Sequence, residues 1–311
     1  MTDTESSKMY DYKVNDKHKV YFKKKYDTDT ISIYPNDLKY KNYNDISLNN
    51  VKNLDDKVDH DTVNYRIKDC LLNDCKTLDL SHLHLTKFPK LPNEIIKNVK
   101  YLFLSENDLE NIDDLSHFDK LNVVDLCNNR LIKLPPMPDK LIELSVRYNN
   151  LSDISTLENC YFLRRLDCSY NRIIEIPNTN TLEILICDHN KIFNIPSFAK
   201  LIKLSCSNNI IQVMPSLPNI EIIECDKNQI TKINNYSNLR ELYCSHNQID
   251  EICNTHKIDT ICCYKNKIKK IDYFQNLKEL VCDYDNIELA SLYTIVESVI
   301  YKNNIIMIYF K

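Results

Sequence analysis

The chain has 311 residues, a formal net charge of −4 and no glycine. The near-neutral charge gives no electrostatic case for nucleic acid. The missing glycine removes phosphate loops, dinucleotide fingerprints, kinase glycine loops and the nucleophile elbow, all of which need positive φ or close backbone approach.

Residues 1–58 form a polar amino-terminal region with eleven Lys, ten Asp or Glu, and seven Tyr between Tyr10 and Tyr43. Two strand-like runs, Lys19–Phe22 and Thr30–Tyr34, fit a small hairpin, and the high charge fits disorder equally. The opening MTDTESSKMYDYK lacks the apolar run of a signal peptide. No apolar stretch approaches the ~20 residues that span a bilayer. A cytoplasmic protein without membrane contact is expected. A capping helix is expected over 59–73, because Val63, Ile67, Cys70 and Leu71 recur at helical spacing.

From residue 74 to 311 the chain repeats itself. Asn171, Asn190, Asn209, Asn228, Asn247 and Asn266 follow one another at intervals of 19. A fixed period of this length marks a solenoid. Counting Leu163 as the first place of a unit, apolar residues occupy the first, fourth, sixth, eleventh and fourteenth places, and Asn the ninth. The same frame starts at Cys75, Val99, Leu121, Leu141, Leu182, Leu201, Ile220, Leu239, Ile258, Leu277 and Val296, giving about twelve units. Alternation at places three to seven is the pattern of a half-buried strand, so each unit contributes one strand to a parallel sheet. Pro-rich returns such as Leu134–Pro138 and Met214–Pro218 disfavour long helices, so the other side should be extended or 3₁₀.

The phrase LxxLxLxxNxLxxIP, repeated in register, resembles the leucine-rich repeat family. The short Pro-x-Leu-Pro units and the Arg66-Ile67-x-x-Cys70-Leu71 phrase look like bacterial effector-type leucine-rich proteins. Composition and repeat style are similar to the leucine-rich proteins of giant DNA viruses of protists, which would place the chain in the host cytoplasm. The resemblance implies an α/β solenoid whose concave face is a parallel sheet. It also implies an asparagine ladder: Asn107, Asn129, Asn149, Asn171, Asn190, Asn209, Asn228, Asn247, Asn266 and Asn304, with Leu83 breaking the series at its start. An amide side chain carries both donors and an acceptor, which suits it to backbone groups that a turn leaves unpaired.

Seven cysteines, Cys168, Cys187, Cys206, Cys225, Cys244, Cys263 and Cys282, fill the sixth place of successive units. That place faces the core, where Cys behaves as a small hydrophobe. No CxxC pair exists, and His82 with His84 lacks a third ligand. No metal or cofactor is expected. No nucleophile–base constellation occurs either, so the chain is not expected to be an enzyme. Effector-type ubiquitin ligases carry a separate carboxy-terminal catalytic domain, and their activity is not expected here.

Outward-facing candidates concentrate in the second to fifth units: Tyr101, Phe103, Arg147, Tyr148, Arg165 and Tyr170, with Arg130 and Arg172 just past the ladder position. Tyr and Arg are enriched in interface hot spots. Their forks suit an acidic or phosphorylated partner. The expected function is a non-catalytic scaffold or adaptor binding a protein on the concave face. Alternatives are a substrate receptor of a ubiquitin-ligase assembly and a regulatory or inhibitory subunit of a host enzyme. The twelfth unit has no polar cover, so either a homodimer through the carboxy-terminal coils or a fold-back of Met307–Lys311 is expected.

Overall fold

The computed structural model describes residues 60–252, 256–271, 274–283, 296–302 and 305–310. The readings of residues 1–58 and of Asn304 lie outside these.

Among the described residues, thirteen strands form one sheet. β1 to β11 run in chain order and pair in parallel: Thr77–Asp79, Tyr101–Phe103, Val123–Asp125, Glu143–Ser145, Arg165–Asp167, Ile184–Ile186, Lys203–Ser205, Ile222–Glu224, Glu241–Tyr243, Thr260–Cys262 and Glu279–Asp283. Register is fixed place by place, as in Arg165↔Ile184 and Leu166↔Leu185. A one-residue slip would turn every core side chain outward, so alternation enforces it.

The first, fourth, sixth, eleventh and fourteenth places fill a continuous core. In the unit from Leu201 these are Leu201, Leu204, Cys206, Ile211 and Met214, all at most 2% exposed. The seven-cysteine column lies within it, each thiol buried. Burial raises all seven thiols above their ordinary range, Cys282 to about 12, so none offers a thiolate.

Two short helical pieces interrupt the extended returns: α2, Asn93–Asn98, and a 3₁₀ turn over Ser155–Asn159. Both fall in units longer than 19 residues, where the extra chain must coil to keep the strands in register. The first helix, α1, spans His60–Leu72. Val63 and Cys70 are buried against the first coil. The Arg66 guanidinium ties the helix to β1, with Nη1 donating to the carbonyls of Asp79 (3.2 Å) and Ser81 (3.0 Å).

The twelfth unit is a correction. Instead of a further parallel coil, β12 (Val296–Lys302) and β13 (Ile305–Phe310) make an antiparallel hairpin. β13 lies between β11 and β12 and runs antiparallel to β11, with Leu280↔Ile308 and Cys282↔Ile306 as partners. Ile306, Ile308 and Phe310 join the core cluster. These three face the core at every second position, which lets one strand shield the last coil without a return loop. The fold-back therefore covers the surface on which the expectation of a carboxy-terminal dimer rested.

Candidate functional site

Two polar rows follow the strands along the solenoid. The inner one is made by Asn107, Asn129, Asn149, Asn171, Asn190, Asn209, Asn228, Asn247 and Asn266. Asn209 is representative. Its Nδ2 donates to the carbonyls of Cys187 (3.0 Å), Cys206 (3.1 Å) and Ser207 (3.3 Å), and its Oδ1 accepts from the Ile192 N–H at 2.9 Å. One amide thus closes the turn of its own coil and pins the coil before it. Asn107 extends this to the first unit, where its Oδ1 accepts from the N–H groups of Leu83 and Leu85.

The residue just before each of these asparagines is left-handed, as is His82 before Leu83. His82, Glu106, Asn128, Tyr148, Tyr170, His189, Asn208, Lys227, His246 and Lys265 have φ between 51° and 58°. Non-glycine residues pay about 1–2 kcal/mol for this region. The gain is a backbone ladder that continues round the bend, as in Tyr170 N–H to Asp188 O at 2.8 Å. The conformation also sets the eighth side chain on the rim of the sheet, where like side chains stack. Tyr148 and Tyr170 stack with ring centroids 4.3 Å apart, and Tyr170 and His189 at 4.2 Å. Asn208 Nδ2 lies 3.2 Å from His189 Nε2.

Places three, five and seven form the concave floor. In the units from Cys75 to Leu277 they carry ten carboxylates (Asp79, Asp125, Glu143, Asp167, Asp188, Glu224, Asp226, Glu241, Glu279, Asp283) and three cations (Arg147, Arg165, Lys203). The floor is thus net −7 in a chain of −4. Serines knit the acids together. Ser205 Oγ donates to Asp188 Oδ1 (2.9 Å) and is 3.2 Å from Glu224 Oε2. The N–H groups of Ser207 and Ser245 donate to Asp188 and Asp226, each at 2.6 Å. Lys203 Nζ meets Glu224 Oε1 at 3.0 Å in a largely buried pair. Burial, reinforced by Glu224 and Asp167, lifts the Asp188 carboxyl to about 6 despite its hydrogen bonds to Ser205 and Ser207. Asp125 and Asp167 are raised for the same first reason.

The sequence-predicted residues divide into three groups. Arg147, Tyr148 and Tyr170 are brought together: the guanidinium carbon lies 4.9 Å and 5.3 Å from the two ring centroids, and Nη2 donates to Tyr148 Oη at 3.4 Å. Arg165 lies on the same floor, its Nε 3.9 Å from Glu143 Oε2. Arg130 and Arg172 stand on the edge beyond the rim, bound to Asp108 (2.6 Å) and to Asn150 (3.2 Å). Tyr101 is half-buried on β2. Phe103 is a correction: it is 2% exposed and cannot serve as an outward anchor. Concave curvature crowds the fifth place between neighbouring strands, which also covers Asp125, Ser145 and Ile186. On the floor itself, Arg147 faces rings and Arg165 a carboxylate of the chain, in a surface that is acidic overall.

His189 and the acidic row were overlooked in the sequence. Their signal was present, since places five, seven and eight recur every 19 residues, but the ring stack and pooled charge depend on coils lying side by side. His82 faces Glu106 at 2.9 Å and His84 faces Asp108 at 3.7 Å. No group of three His, Cys, Asp or Glu is placed to hold a metal ion among the described residues. No helix among them is long and apolar enough to cross a membrane.

This architecture is that of a leucine-rich repeat solenoid. Two solved structures share it. The leucine-rich repeat domain of APL1B matches with a TM-score of 0.59 at 19% identity, covering 76% of this chain and 77% of that one. YopM, a leucine-rich effector protein from Yersinia pestis, matches at 0.59 and 22% identity, covering 72% and 76%. In sequence, the chain is 32% identical to osteomodulin of Bos taurus over 141 residues, 39% of this chain and 33% of that protein. It is 32% identical over 102 residues to the U2 small nuclear ribonucleoprotein A' of Candida glabrata, 32% of this chain and 37% of that protein. The chain spans about a third of the length of each of these relatives. No protein-family model matches the sequence.

Proposed function

We propose that the chain is a non-catalytic protein-binding scaffold that receives a partner segment across its concave face, with the rim of Arg147, Tyr148, Tyr170 and His189 as one wall. The leucine-rich repeat fold is generally a protein-interaction scaffold, and the observation that supports this use here is the stacked rim beside an open, charged floor. Stacked rings held by a hydrogen-bonded ladder lose little freedom on binding, which favours affinity per contact. The net −7 floor suits a partner segment rich in Lys or Arg, steered by the field of the concave side.

The test is hydrogen exchange on the full chain with a bound protein partner, paired with a Tyr148→Ala/Tyr170→Ala variant that keeps the wild-type melting profile. Protection of β4–β8 and at least a tenfold loss of affinity in the variant are expected. A partner that protects only the returns on the opposite side, and binds the variant unchanged, contradicts the reading.

A further inference from the structure

The edge next to the rim carries an apolar row that the concave face does not use. At the twelfth place, Ile132, Ile174 and Phe193 are 54%, 47% and 47% exposed, with the polar Ser152 between the first two, and Val213 at the thirteenth place of the following unit is 70% exposed. In the later units the twelfth place turns polar: Gln212, Thr231, Asp250 and Lys269. The row is therefore confined to one stretch of the solenoid. That the tenth and twelfth places share one edge is shown by Gln212 Nε2, which donates to Gln229 Oε1 across coils at 3.3 Å. The edge is stiff, because tenth-place N–H groups donate to the preceding coil, as in Lys191 N–H to Ile173 O at 2.9 Å.

Exposed apolar rows of this kind mark interaction surfaces. The charge around this one is the reverse of the floor's. Arg130, Lys133, Arg172 and Lys191 flank it, against Asp108 (paired with Arg130), Asp153 and Glu175, so it is net positive by one. Spacing decides the shape of the occupant. Neighbouring coils advance by ~4.8 Å, and an α-helix by ~5.4 Å per turn, so four coils accumulate a mismatch of only ~2.4 Å. An extended strand places same-face residues ~6.7 Å apart and falls out of register about three times faster.

We propose that this edge, from Ile132 to Val213, docks an amphipathic α-helix of a protein partner whose apolar residues follow one per turn, interrupted opposite Ser152, between acidic residues. Ile174 and Phe193 take adjacent turns of the helix, and Arg172 and Lys191 meet its carboxylates. The surface is distinct from the floor, and its occupant has the opposite charge from a segment suited to the floor.

The probe is a synthetic four-turn helical peptide with Leu once per turn and Glu on both flanks, tested by fluorescence anisotropy against the full chain. Controls are the same peptide with Lys for Glu and one with the Leu period scrambled. Saturable binding of the acidic peptide is expected. It should weaken tenfold or more in an Ile174→Glu/Phe193→Glu variant and stay unchanged in Tyr148→Ala/Tyr170→Ala. The double Glu variant alters only exposed side chains, and an unchanged melting profile shows it folds. No saturable binding at about 1 mM peptide, equal binding of the scrambled or Lys peptide, or equal binding to the Glu variant overturns the proposal. Concentration-dependent self-association in sedimentation, abolished by the same Glu pair, would also overturn it by making the edge a contact between copies of this chain.

Discussion

The asparagine row and the concave acidic row run side by side through the same coils, yet they stand in opposite energetic positions. Each asparagine gives its donors and its acceptor to backbone groups of its own coil and the one before, so the row is neutral and satisfied. The floor gathers like charges at strand spacing, and the carboxyls of Asp125, Asp167 and Asp188 are raised because burial and neighbours oppose their ionisation. A repeat therefore multiplies whatever sits at a place. Good hydrogen bonding at the ninth place becomes a brace, and a carboxylate at the fifth or seventh becomes a field.

The largest expected effect breaks the brace. Asn209→Ala leaves the Ile192 N–H unpaired in the core and removes one of the two amide donors from each of the Cys187 and Cys206 carbonyls, and should cost about 3–5 kcal/mol in chemical denaturation. A loss under about 1 kcal/mol would show that the row is not structural.

Next is the buried pair on the floor. Lys203→Met leaves Glu224 beside Asp188 without its nearest cation, with an expected loss of about 2–4 kcal/mol at neutral pH. Lys203→Met combined with Glu224→Gln should recover most of it, measured by the same denaturation series.

Asp188→Asn should move stability the other way. A carboxyl raised to about 6 holds its proton longer in the folded chain than in the unfolded one. Its share of stability is thus complete below about pH 4, declines as pH rises towards 6, and stays flat above that. The variant should gain about 1–2 kcal/mol at pH 7, allowing for residual exposure, and lose the slope between pH 4 and 6. A wild-type stability that rises across that window would contradict the assignment.

The smallest effect concerns the bend. Lys227 has φ 54°, and Lys227→Gly relieves the left-handed backbone while loosening the unfolded chain, for a net gain of up to about 1 kcal/mol. A clear loss of melting temperature would mean that the side chain does more than tolerate the turn.

Much of this was legible in the sequence. Periodicity gave the parallel sheet, the core places, the burial of the cysteine column and the absence of long return helices, because alternation within a strand and a fixed unit length leave one way to bury the apolar places. The bend residues were less legible: a chain without glycine reads as one without positive φ, yet ten eighth-place residues adopt it. Hydrogen bonding between coils meets that cost, and it exists only once the coils are stacked.

The site divides along the same line. The sequence by itself supplied the Tyr and Arg of the rim, since these are residues at counted places, while the acids of the floor emerged as a row only once the coils lay side by side. Only the tertiary structure decided that Phe103 is covered, that His189 extends the tyrosine stack, and that Ile132, Ile174 and Phe193 lie along one edge. Only it decided that Ile305–Phe310 turns back against β11. The physical reason is common to these cases. Each depends on what lies one coil away, some 19 residues distant in the chain but a single strand spacing distant in space.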